Sequence, residues 1–294
     1  MSISVTHQEN NKIELSEWVI DAINRDQVIE VLAHLYLRQE ANAIRVINSL
    51  PIKVRRRTQD VGPNVIEKLT APKQSDIDLA NGNGSDDEKK NANNRINNSI
   101  YHRDGLLFQH LSWIVAQQAH PNGYMTSPHV RNADKGFDGF IVDFDHEQKS
   151  VESVILCEDK ATEKPRPMVT GKVWPEIRDI IAQSREDEVE ADLTTLLKAV
   201  PNLTPEDAED AIDAIFWERE RKFRVSIATD EGFRKSGGFD YLLNGFEDEA
   251  PGPESHRIGG VLPFTSVRAG LHAIAEEVIC KVKELIAESE THNV

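Results

Sequence analysis

A polar turn between two apolar runs limits the fold more than any other feature of this sequence. Residues 137–144 and 151–161 each carry apolar and β-branched side chains at strand spacing, and His146-Glu147-Gln148-Lys149 between them reads as a turn. The two runs are expected to pair as a hairpin. The second is apolar through Val154-Ile155-Leu156-Cys157 and then ends in three charges, Glu158-Asp159-Lys160. Side chains alternate along a strand, so Glu158 and Lys160 share one face and Asp159 takes the other. Asp138 opens the first strand. Burying such charges is costly unless they are paired or hold a metal.

Around the hairpin the pattern is mostly helical. Ser16 can cap a short helix containing Trp18, Val19 and Ile23, and a longer helix is expected over 26–50, ended by Pro51. Residues 71–98 are rich in Asn, Asp and Gly and read as a flexible linker. The expected division is thus a helical module over 1–70, a linker over 71–98 and a core over 99–294. Within the core, helices are expected at 103–119 and 174–188, a buried strand at 223–229, loops over 231–260 and a last helix over 266–288. Thr204-Pro205-Glu206-Asp207 is a helix start, with a capping Thr and Pro in the first turn. The order helix, strand, strand, helices, strand, helix predicts an α/β (α+β) fold with a mixed central sheet flanked by helices.

Charge narrows the function. With 34 basic and 50 acidic residues among 294, the net charge is −16, unlike a chain that binds nucleic acid over its whole surface. Twelve acidic and four basic residues between 186 and 222 contribute −8 of this. Any phosphate contact must therefore be local. The most basic stretch is Lys53-Val54-Arg55-Arg56-Arg57, and Arg166 and Lys172 follow the hairpin. Two cysteines cannot build a disulfide framework, and no apolar run is long enough to span a membrane. The first residues lack the pattern of a secretory signal, so a cytoplasmic protein is expected. Cys157, on an apolar strand, reads as a buried small residue rather than a nucleophile, and His110 as helix packing. The acidic run at 143–147 lacks the glycine and distal glutamate of a calcium loop.

Two carboxylates can hold Mg²⁺ or Mn²⁺ through oxygen while leaving positions for water and phosphate. A lysine beside them can orient or deprotonate that water, or stabilise transition-state charge. At this point the sequence resembles a known family. Asp138, then about twenty residues, then Glu158-Asp159-Lys160 closing an apolar strand is similar to the PD-(D/E)XK nuclease superfamily. The resemblance covers roughly residues 100–230. It implies a restriction-endonuclease-like core, with Asp138 and Glu158 as metal ligands, the Asp159 backbone carbonyl as a further metal contact, and Lys160 as the catalytic lysine. Phe137 stands where the family's motif often has proline. The helix at 103–119 has Gln109 and His110 where many members carry an acid, with only Asp104 at its start, which implies a one-metal site or a weaker second metal. The plan of an N-terminal helical module before such a core is also similar to the nuclease effectors of prokaryotic anti-phage systems such as Hachiman, in which a nuclease works with a helicase. The resemblance thus implies a Mg²⁺-dependent DNA nuclease loaded by a helicase or ATPase partner, for an acidic chain gains little affinity from counterion release. A stand-alone restriction-type endonuclease and a non-catalytic interaction module are the other readings.

Overall fold

A computed structural model describes residues 3–55, 57–128, 137–144, 151–182, 186–198, 200, 203–216 and 221–291. The strands are β1 (Ser4–Gln8), β2 (Glu14–Val19), β3 (Tyr124–Met125), β4 (Gly139–Phe144), β5 (Val151–Ala161), β6 (Arg221–Asp230) and β7 (Arg257–Phe264). The helices are α1 (Arg25–Tyr36), α2 (Glu40–Ile47), α3 (Thr58–Leu69), α4 (Gln74–Asn81), α5 (Asp86–Ala119), α6 (Pro165–Met168), α7 (Trp174–Ile181), α8 (Glu186–Leu197), α9 (Pro205–Phe216), α10 (Phe246–Glu249) and α11 (Val267–Thr291). Two compact units result, one of Ile20–Leu111 and Arg268–Val294, the other of Ile3–Val19 and Ser112–Val267. The boundary between them falls inside α5.

The second unit holds a seven-stranded mixed sheet in the order β1-β2-β7-β6-β5-β4-β3. Strands β2, β7, β6 and β5 run parallel to one another, while β1 pairs antiparallel with β2 at one edge and β4 with β5 and β3 with β4 at the other. The expected hairpin is present as the β4–β5 pair, with Gly139 opposite Cys157; its turn at 145–150 lies outside the described residues. Both faces of β5 are buried. Val154 and Leu156 pack with Val225, Val261, Trp174 and Ile177 on one face, and Ile155 and Cys157 pack with Ile141 and Ala116 of α5 on the other. That is the burial expected of a strand in a parallel region.

Helix α9 starts as its sequence predicts: the Asp207 N–H donates to Thr204 Oγ1 at 3.1 Å, and the Thr204 N–H to Asp207 Oδ2 at 3.2 Å. Elsewhere the chain departs from its local signals. Ser16 and Trp18 lie in strand β2, not in a helix, and Trp18 is 1% exposed. The helix expected over 26–50 is two helices, α1 and α2, broken where Arg38 takes a left-handed backbone (φ 57°). Residues 71–98 are not a linker. They form α4 and the first turns of α5, whose start is a capping box: the Ser85 N–H donates to Glu88 Oε2 at 2.8 Å and the Glu88 N–H to Ser85 Oγ at 3.4 Å. The region 231–260 contains the start of β7 as well as loops.

The first unit is helical and its contacts are close. In α3, a Cβ at Gly62 would meet the Ile286 side chain of α11, so any larger residue there must displace that side chain. His34 of α1 is 2% exposed. Its Nδ1–H donates to Gln39 Oε1 at 3.1 Å, which leaves Nε2 buried without a partner. Burial holds this imidazole below its ordinary pKa, against the opposing Gln39 bond. The neutral form is thus the folded form, and its contribution to stability is complete above the unfolded pKa of about 6.5 and lost as pH falls toward the folded value. Thermal melts of the intact chain should show stability declining as pH falls below about 6.5, a decline that is smaller in His34→Gln. Parallel melting curves for the two proteins across that range would contradict it.

Candidate active site

Strand β5 delivers the three charges, and its two faces hold them differently. Glu158 is 2% exposed, on the face that packs against α7. One of its carboxylate oxygens pairs with Lys160 Nζ two residues on, and the other, Oε2, is buried with no hydrogen-bond partner. Asp138 enters from the start of β4. Its N–H donates to the Cys157 carbonyl at 3.0 Å, fixing the register, and its Oδ2 accepts the Asp159 N–H at 2.7 Å. The same Oδ2 lies 3.8 Å from Lys160 Nζ. Asp138, Glu158 and Lys160 therefore converge: one ammonium faces both carboxylates.

Asp159 points through the sheet to the other face. Ser112 of α5 donates from Oγ to Asp159 Oδ1 at 2.6 Å, and Ser226 of β6 lies 3.4 Å from Ser112 Oγ. Arg224, also buried, donates to the Ser112 carbonyl at 3.1 Å, with its guanidinium 5.1 Å from the centre of the Trp18 ring. Burial pushes the Asp159 carboxyl up to about 7; Asp138 acts in the same direction, and Arg224 and the serines oppose it. Its side chain is thus anchored away from the Asp138–Glu158 pair, and only its main chain lies beside them. At the end of β5, the Thr162 carbonyl accepts Thr229 Oγ1–H at 2.8 Å, and Thr162 Oγ1 accepts the Lys164 N–H at 3.0 Å. These bonds fix where β5 stops and α6 begins.

The donor set suits a hard divalent cation. Two carboxylates meet, one oxygen is buried and unsatisfied, and a side-chain cation already lies between them. Among the described residues no group of three or more His, Cys, Asp and Glu side chains gathers for a metal. Two carboxylates alone would leave most of a metal's coordination positions to water and substrate, the habit of Mg²⁺ rather than of a structural zinc.

The other residues singled out by sequence are placed as follows. Cys157 is buried, and burial pushes its thiol up to about 12, which disfavours the thiolate form a nucleophile needs. His110 is buried, with Nδ1 2.6 Å from the Leu106 carbonyl and its ring stacked on Tyr36 at 4.1 Å. Arg166 donates to the Leu242 carbonyl at 2.9 Å, and Lys172 is exposed. Lys53, Arg55 and Arg57 are exposed in the first unit, and Arg56 lies outside the described residues. Sequence reading missed the Ser112–Arg224–Ser226 support of Asp159. Its signal is an arginine inside the apolar run Phe223-Arg224-Val225, the same anomaly that marks Glu158. No family model, no curated protein and no solved structure matches this chain.

Proposed function

We propose that the protein is a metal-dependent DNA nuclease of the PD-(D/E)XK type, with Asp138, Glu158 and Lys160 as its working groups. One observation carries this reading: the buried Glu158 and the Asp138 carboxylate meet at the single Lys160 ammonium. An ordinary surface ion pair would be exposed on both sides and worth about 0–1 kcal/mol. Glu158 is instead 2% exposed, and burying an ion pair commonly costs more than the pair returns. A fold keeps such a charge where function uses it. The order α5, β3, β4, β5, α6–α7, β6 also agrees with the restriction-endonuclease-like core that the resemblance implies.

In this reading Asp138 and Glu158 would hold Mg²⁺ or Mn²⁺, with the Asp159 carbonyl available as a further ligand. The ion would supply charge neutralisation at the phosphate and a more acidic bound water. Lys160, which faces both carboxylates, would orient or deprotonate the attacking water and offset negative charge in the transition state. Ser112 and Arg224 act as positioning residues: they keep the Asp159 side chain on the far face, so that its main chain stays beside the site. Chelator-sensitive cleavage of supercoiled plasmid in Mg²⁺, with the native partner present, tests the reading; cleavage that persists in excess EDTA would refute it.

The acidic balance supports a loading partner, a helicase or other ATPase of an antiviral defence system, in preference to a stand-alone restriction enzyme. The isolated chain is then expected to bind duplex DNA weakly and to lose that binding steeply with salt. Neutralising Lys172 should reduce the salt slope by about one. Tight, salt-insensitive binding by the chain alone would contradict the loading idea. Among the described residues no helix is long and apolar enough to cross a membrane.

A further inference from the structure

The first unit has a pocket of about 550 Å³ whose wall carries Arg38, Arg55 and Arg57, with Leu37 and Val61 as apolar surface and Glu40 as its carboxylate. We propose that this pocket binds a small polyphosphate ligand of the nucleoside di- or triphosphate class. The inference does not rest on the nuclease reading, which concerns the other unit.

Four observations support it. In a chain of net charge −16, exposed arginines should find carboxylates readily. Yet among the described residues none of these three guanidiniums has a hydrogen-bond or ion-pair partner. Three arginines against one glutamate leave the wall at +2, and guanidinium forks match phosphate oxygens in pairs.

Second, the size is wrong for a lone phosphate and suits a mononucleotide, since small-molecule pockets span about 300–1,000 Å³. The apolar wall gives a base or sugar something to cover.

Third, the frame is built in advance. The segment carrying Arg55 and Arg57 is tied to α2 by a reciprocal pair: Asn42 Nδ2 donates to the Lys53 carbonyl at 2.8 Å, and the Lys53 N–H donates to Asn42 Oδ1 at 3.0 Å. Gln39 Nε2 donates to Thr58 Oγ1 at 2.8 Å, and Thr58 Oγ1–H to the Arg55 carbonyl at 2.7 Å. Both α2 and α3 begin at this wall, and neither start has a side-chain cap. Their first N–H groups add positive potential there.

Fourth, Arg38 stands where a glycine would be easier. The Gln39 N–H bonds the His34 carbonyl at 2.8 Å and the Arg38 N–H bonds the Leu35 carbonyl at 2.9 Å, so α1 ends in a Schellman turn with Arg38 in its left-handed position (φ 57°). An arginine there carries a backbone cost that glycine would avoid. What it gains is a guanidinium in the pocket wall.

That cost makes the test clean. Arg38→Gly removes the charge and relieves the backbone together. The full-length chain is titrated with ATP, GTP, pyrophosphate, adenosine and a short single-stranded oligonucleotide by calorimetry, without Mg²⁺, and melted separately. ATP or GTP and, more weakly, pyrophosphate should bind with one saturable site, and adenosine should not. In Arg38→Gly the Tm should be equal or higher while nucleotide affinity falls at least about tenfold, the scale of one lost charge-assisted hydrogen bond. The double variant Arg55→Ala/Arg57→Ala should lose binding more completely. No saturable binding of either triphosphate, unchanged affinity in both variants, or binding of the oligonucleotide alone would overturn the proposal; the last outcome would make these arginines contacts to a nucleic-acid backbone instead.

Discussion

If the site works as proposed, replacing Glu158 by glutamine should lower plasmid cleavage by at least about 10³-fold, by removing a proposed metal ligand whose ion would supply several kcal/mol of transition-state stabilisation. Asp138→Asn should match it. The mutated groups are nearly isosteric, so folding should survive. Lys160→Ala separates binding from rate. It should keep metal and DNA association near normal and lose at least about two orders of magnitude in rate, the usual scale for one positioned acid–base or electrostatic group. Lys160→Arg should fail nearly as badly, because a guanidinium does not deprotonate and presents its donors differently. Wild-type cleavage by Lys160→Ala would reduce Lys160 to the partner of Glu158.

The largest effects on stability are expected where β2 meets β7. Ser16 and Gly260 are paired in register, and a Cβ at Gly260 would overlap the Trp18 indole ring. Trp18 is almost fully buried, and its Nε1–H donates to Ser16 Oγ at 2.9 Å. Gly260→Ala therefore cannot be absorbed by a surface shift. It should cost at least the 1–3 kcal/mol typical of an overpacked core. Trp18→Ala should cost about 3–5 kcal/mol by leaving a cavity, and it also removes the ring under Arg224. Chemical denaturation of each variant measures both. A combined Trp18→Ala/Gly260→Ala protein should be less destabilised than the sum, since the small side chain makes room for the added methyl. Additive losses would show that the two residues do not share one space.

These positions also explain what the sequence could and could not reveal. The hairpin was legible because its alternation, turn and terminal charges agree with one another. Strand β7 was hidden because Gly259, Gly260 and Pro263 are loop signals on their own; Leu15, Leu243 and Trp18 supply the reason for the glycines, and all are distant in sequence. Strand β2 carries a local helix signal, since Ser16, Trp18 and Val19 fit a capped turn, whereas pairing with β7 decides its conformation. The helices at 74–98 were obscured by a composition typical of linkers, although Ser85-Asp86-Asp87-Glu88 carries a capping box. At the site, the shared face of Glu158 and Lys160 followed from strand alternation. The approach of Asp138 to Lys160 depends on the β4–β5 register, which fixes Gly139 opposite Cys157. The Ser112–Arg224 support comes from α5 and β6, elements that local pattern placed but could not bring together.

Metal binding at Asp138 and Glu158 can be measured with neither DNA nor a partner. Calorimetric titration of the purified chain with Mn²⁺ should give a saturable heat in the wild type. That heat should vanish in Asp138→Asn and in Glu158→Gln while their far-UV circular dichroism stays unchanged. Equal Mn²⁺ binding by the wild type and both variants would contradict the account, because the two carboxylates would then not be where the metal is held.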